Sequence, residues 1–96
     1  MLNKMREQVS EKLINEVFQK CYFISTHSKC DVFFRYAAHV HCYEVDYSLN
    51  GWDINDDTVH INTCTEVNPE NLQDTLYQLE QLWKVINSKP EVQINE

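Results

Sequence analysis

Leu2, Met5, Val9, Leu13 and Val17 recur at steps of three and four residues, and Ile14 and Phe18 widen the stripe toward its end. Glu7, Glu11, Asn15 and Gln19 fill the opposite side. An apolar stripe with this period predicts an amphipathic helix from about Asn3 to Lys20. The segment 21–29 mixes aromatic, small and polar residues and fits strand and loop equally.

Val32, Phe34 and Tyr36 alternate with Phe33 and Arg35, a period of two that predicts a strand. Tyr43, Val45 and Tyr47 alternate with Cys42, Glu44 and Asp46, and Val59, Ile61 and Thr63 alternate with Thr58, His60 and Asn62. Short connections favour an antiparallel meander. One face is then expected to collect the Val, Ile, Phe and Tyr side chains. Arg35, Glu44, Asp46, His60 and Asn62 are expected on a face that meets water. Asn50-Gly51 is a turn signal, because both residues tolerate positive φ.

Asn68-Pro69 opens the last helix, with Asn as N-cap and Pro in the first helical position. Glu70 follows in the first turn, where the helix dipole favours an anion. Leu72, Leu76, Leu79, Trp83 and Ile86 form its apolar stripe, and Pro90 is expected to stop it. Residues 91–96 read as a flexible tail. The expected fold is therefore α+β, a single domain over residues 1–90: helix, three-stranded antiparallel meander, helix, with both helices packed on one face of the sheet.

The chain has 96 residues, 43% of them hydrophobic, with one Gly and two Pro. That is enough for one core and little irregular structure. No secretory leader and no membrane-length apolar run is legible, so a cytoplasmic location and reduced thiols are expected for Cys21, Cys30, Cys42 and Cys64.

Candidate chemistry is sparse. His39 and His41 on one side of a strand, with His60 on the next, would offer three imidazoles to a zinc ion with an open fourth position. A bend near Ala37-Ala38 would break that geometry, and no C-x-x-C spacing supports a structural site. Asp53-x-Asn55-x-Asp57 starts like a calcium loop but has Thr58 where Gly is needed and Cys64 where Glu is needed. A Cys–His pair such as His41 with Cys64 has no local signature. The reading is non-enzymatic, with no cofactor. A zinc- or thiol-dependent enzyme using His39, His41, His60 and Cys64 is an alternative.

Charge changes the picture more. Residues 1–35 carry six cations and four acids, but between Tyr36 and Trp83 there is no Lys or Arg and there are nine acids. A one-signed field repels nucleic acid and attracts basic surfaces. Glu44, Asp46, Asp53, Asp56, Asp57, Glu70 and Asp74 are the candidate partner-binding acids. Tyr77, which points away from the apolar stripe of the last helix, is the candidate aromatic anchor.

The stretch from Phe33 to Tyr47, with its Phe-Phe-Arg-Tyr-Ala-Ala-His-Val-His-Cys-Tyr core and the following Asn50-Gly51-Trp52, resembles small acidic bacteriophage and prophage proteins. In these an aromatic strand, a short His-Val turn and a second strand lead to a Gly-Trp. The resemblance covers residues 31–52, and size and charge add to it. It implies a host-takeover or anti-CRISPR type of accessory protein, which binds a basic surface of a host protein such as a Cas nuclease and occludes its nucleic-acid site. It implies no membrane contact and assigns no residue. A homodimer, or a small self-associating assembly module, is the alternative within the non-enzymatic class.

Overall fold

The computed structural model describes residues 2–51 and 58–88. Trp52, the loop acids Asp53, Asp56 and Asp57, Pro90 and the tail 91–96 lie outside the described residues. The elements are α1 (Leu2–His27), β1 (Asp31–Ala37), one 3-10 turn (Ala38–Val40), β2 (Cys42–Ser48), β3 (Val59–Glu66) and α2 (Pro69–Ser88). The order is the expected one, helix, three antiparallel strands in the order β1-β2-β3, helix. Among the described residues no helix is long and apolar enough to cross a membrane.

The first helix runs two turns past Lys20. Cys21 and Ile24 carry the buried stripe of Val17 onward, which keeps the segment helical despite its β-branched and aromatic residues. Side chains then close its end. The Thr26 hydroxyl donates to the Tyr22 carbonyl, the Ser28 hydroxyl donates to the Ile24 carbonyl, and Ser28 Oγ accepts the Cys30 N–H. Ser25 Oγ accepts the Val32 N–H at 2.9 Å and so ties the helix to β1.

The connection between β1 and β2 is a bend. His41 takes a left-handed conformation, φ 54°, and its N–H donates to the Ala38 carbonyl. Gly51 at φ 94° closes a turn onto the Ser48 carbonyl. Asn68 caps α2 as expected, its Oδ1 accepting the Asn71 N–H at 2.8 Å.

Register sorts the side chains of β1 and β2 into two faces. Val32, Phe34 and Tyr36 stand with Tyr47, Val45 and Tyr43, and Arg35 stands with Glu44. The alternation expected for β3 fails. Register shifts occur on both sides of Val45, and Cys64 has φ 45°. An extra residue in a strand flips the faces beyond it. Asn62, expected on the water-facing side, therefore pairs with buried Val45, and its Oδ1 accepts from Thr75 of α2.

Five elements that alternate in direction leave the first and fifth parallel. Three contacts follow that order along the two helices: Arg6 with Glu70, Lys20 with Glu80, and Phe23 edge-on to Trp83. The core joins Val17, Cys21 and Ile24 of α1, Tyr43 and Val45 of β2, and Leu72, Leu79 and Leu82 of α2, with Cys30. On α2 the buried line runs through Leu72, Thr75, Leu79 and Leu82, while Leu76, Trp83 and Ile86 of the expected stripe are only partly covered.

The rotation of α2 has a polar cause. Fully buried Thr75 meets the Tyr43 hydroxyl at 2.6 Å, Asn62 Oδ1 at 2.7 Å and the Asn71 carbonyl at 3.0 Å. Threonine has one proton and gives it to one of the two carbonyl oxygens, so Tyr43 is the donor in its own bond. Thr75→Val keeps the shape but leaves a buried phenol unpaired, and should cost about 1–3 kcal/mol. Adding Tyr43→Phe removes the orphaned group and should recover part of that loss. A double-mutant cycle from urea unfolding checks this, since strictly additive losses would mean the hydroxyls are not coupled.

Candidate functional site

Four of the nine acids between residues 36 and 83 meet cations from the first thirty-five residues. Arg6 forks onto Glu70, with Nη2 to Oε1 at 2.9 Å and Nη1 to Oε2 at 3.2 Å. Lys20 Nζ lies 2.9 Å from Glu80 Oε1. Arg35 bonds Glu44 through both Nε and Nη2, and reaches Asp46 Oδ2 at 3.0 Å. The hydrogen bond from Arg6 and its charge hold the Glu70 carboxyl below its ordinary value of 4.5, and Lys20 does the same for Glu80.

Asp46 is the largest departure from the expected acidic surface. It is 5% exposed, and its second oxygen lies 2.8 Å from His60 Nδ1. The expected water-facing row of Arg35, Glu44, Asp46 and His60 is thus a linked cluster, closed by the pairing of Asp46 with His60 across β2 and β3. Glu44 and Asp46 share a face of β2 that Tyr43 does not, and the Tyr43 hydroxyl bonds α2. Glu70 of α2 pairs with Arg6 of α1, whereas Glu44 and Asp46 pair with Arg35 of β1. Asp74 is exposed and accepts from Gln78 Nε2 at 2.9 Å, and Tyr77 is 63% exposed.

The histidines do not converge. His39 is exposed in the 3-10 turn, His41 Nδ1 lies 3.2 Å from the Tyr36 hydroxyl, and His60 is held by Asp46. Among the described residues no three His, Cys, Asp or Glu side chains gather in a metal-ligating group. Cys64 shares a small cleft with Cys42, and the His41 ring is engaged by Tyr36.

A different place concentrates unpaired chemistry. A groove of about 680 Å³ runs between the first half of α1, the end of β1 and the start of α2. Ile14, Phe18, Phe34 and Tyr36 give it an apolar floor, with the Phe18 and Phe34 rings edge to face at 6.2 Å. Phe18 is 53% exposed and Tyr36 47% exposed. Glu7, Glu11 and Glu66 line the same groove, and among the described residues none of them makes an ion pair. The signal was present in the sequence: Glu7, Glu11, Ile14 and Phe18 follow steps of four, three and four, one face of a helix. Reading the acids as the polar far side and Phe18 as core concealed it.

No protein-family model matches the chain, and neither a curated protein nor a solved structure shows significant similarity to it.

The interhelical pairs give a pH signature. A carboxyl whose folded pKa is lowered stabilises fully above its unfolded value and loses that contribution as pH falls through the folded value. Thermal midpoints followed from neutral pH to below about 4 should therefore show an acid limb. Glu70→Gln and Glu80→Gln together should make that limb slightly shallower, since exposed pairs contribute little each. An unchanged limb would place the acid sensitivity elsewhere.

Proposed function

We propose that the chain is a non-enzymatic binding protein whose groove takes a basic, apolar-anchored segment of another protein. The carrying observation is the combination in one concave surface of exposed aromatic rings with Glu7, Glu11 and Glu66, which form no salt bridge among the described residues, although the charge of Arg6, on the same rim, is felt at Glu66. Apolar side chains of the ligand would cover Phe18, Phe34 and Tyr36, and its Lys or Arg would answer Glu7, Glu11 and Glu66. Aromatic anchors supply affinity, and opposite charge supplies encounter rate and register.

In this reading both helices cover the sheet face of Phe34 and Tyr43, and the groove lies where α1 overhangs β1. The protein acts in the cytoplasm. The resemblance of residues 31–52 to phage accessory proteins supports a host partner that holds nucleic acid through Lys and Arg, a Cas nuclease being the example that fits the class. The ligand remains basic, and its docking place is the groove in preference to Glu44, Asp46, Asp53, Asp56, Asp57, Glu70, Asp74 and Tyr77. A second reading, self-association, is favoured by β1 and β3, which are both edge strands of an open sheet.

Fluorescence polarisation with labelled peptides separates these. A peptide alternating Lys or Arg with Leu or Phe should bind, with affinity falling as salt rises, because exposed charges are screened. Its Glu-substituted twin should not bind. Phe18→Ala should weaken binding roughly tenfold, about 1.4 kcal/mol, as loss of a buried anchor does. Glu7→Gln with Glu11→Gln should slow association, and Asp74→Asn should change nothing. Equal binding of both peptides, or no effect of Phe18→Ala, would end the groove reading. A sedimentation coefficient that rises with protein concentration would favour the second.

A further inference from the structure

Cys42 and Cys64 are brought together on the outer side of the β2–β3 pair. Cys42 pairs with Glu66 and Tyr43 with Thr65, so Cys64 is the diagonal cross-strand neighbour of Cys42. The two thiols line one small cleft with Arg35, Tyr36 and Glu44. Cys64 is exposed and Cys42 half-buried, whereas Cys21 and Cys30 are buried. Cys64 also holds φ 45° inside a strand. Positive φ is uncommon for any residue but Gly, and it clusters where a side chain is needed in a particular place. Gly would relax this backbone and lose the thiol.

We infer that Cys42 and Cys64 are an oxidation site, which a hydroperoxide closes into a cross-strand disulfide and a dithiol reductant reopens. The roles of the two sulfurs follow from their surroundings. The Cys42 S–H reaches the Val40 carbonyl at 3.3 Å. Its pKa is raised first by the neighbouring Cys64, then by burial and by the charge of Glu66. Cys64 is the more exposed of the two, so it is the sulfur that an oxidant meets.

The Cys64 thiolate attacks one peroxide oxygen. The O–O bond breaks, Cys64 becomes a sulfenic acid, and the departing alkoxide or hydroxide takes up a proton. Cys42 sulfur then attacks Cys64 sulfur. The S–S bond forms, the S–O bond breaks, and water leaves with the Cys42 proton. The two thiols lose two electrons and the peroxide gains them. Burial raises the pKa of Cys21 to about 12 and that of Cys30 to about 11, which keeps both out of the reaction.

The test uses the full chain, reduced, desalted and treated with hydrogen peroxide. Thiols titrated under denaturing conditions should fall from four to two, and peptide mapping should place the link between residues 42 and 64. Dithiothreitol should restore all four. Cys42→Ser should stop at a Cys64 sulfenic acid that dimedone traps, and Cys64→Ser should form no link. If a variant fails to fold, the parent still decides. One equivalent of phenylarsine oxide, which bridges neighbouring thiols, should protect Cys42 and Cys64 together from alkylation and leave the other cysteines unprotected when the protein is unfolded. Four free thiols after peroxide, a different pairing, or only intermolecular dimers would overturn the inference.

Discussion

Four of the carboxylates that follow Tyr36 take their counter-charges from cations that precede it. Arg6 and Lys20 meet Glu70 and Glu80 across long stretches of sequence, and Arg35 meets Glu44 and Asp46 across one strand pair. Exposed pairs of this kind are screened and add little to stability. Their consequence is register and charge distribution. The Arg6 and Lys20 pairs mark how α1 and α2 lie alongside one another, and with Arg35 they set counter-charge beside four of the nine acids between residues 36 and 83. Cohesion comes from the apolar cluster between the helices and β2 and from the Tyr43–Thr75–Asn62 hydrogen bonds that lock α2 to the sheet.

What could be read from the sequence was whatever depends on near neighbours. The last helix, its Asn68 cap, the first two strands and the Gly51 turn follow from periodicity and local chemistry, and the structure contains each of them. The missed features depend on partners far along the chain. Residues 21–27 are helical because Cys21 and Ile24 find the core. Asn62 faces α2 because shifts of register in β3 invert its expected side. Asp46 is buried because Arg35 and His60 arrive from the strands on either side of β2. None of those three conditions has a signature within a few residues.

The same distinction governs the candidate site. A count of charge along the sequence pointed to residues 44–80, where several acids prove to be paired, and passed over Glu7 and Glu11 because the first helix is charge-balanced. In space the balance is local: Arg6 turns to Glu70, and Glu7 and Glu11 face a groove floored by Phe18, Phe34 and Tyr36. Acids that form no salt bridge among the described residues, set beside exposed aromatics, are a more specific arrangement than an acidic composition, because they define both the charge and the shape of what would bind.

The central claim is therefore positional, and amide chemical-shift mapping addresses it directly. The reduced, isotopically labelled protein would be titrated with a peptide of alternating Lys and Leu at low salt. The account predicts perturbations concentrated at residues 7–18, 34–41 and 66–68, with Asp74, Tyr77, Glu44 and Asp46 unmoved. Perturbations centred on Asp74 and Tyr77, with the groove silent, would contradict it.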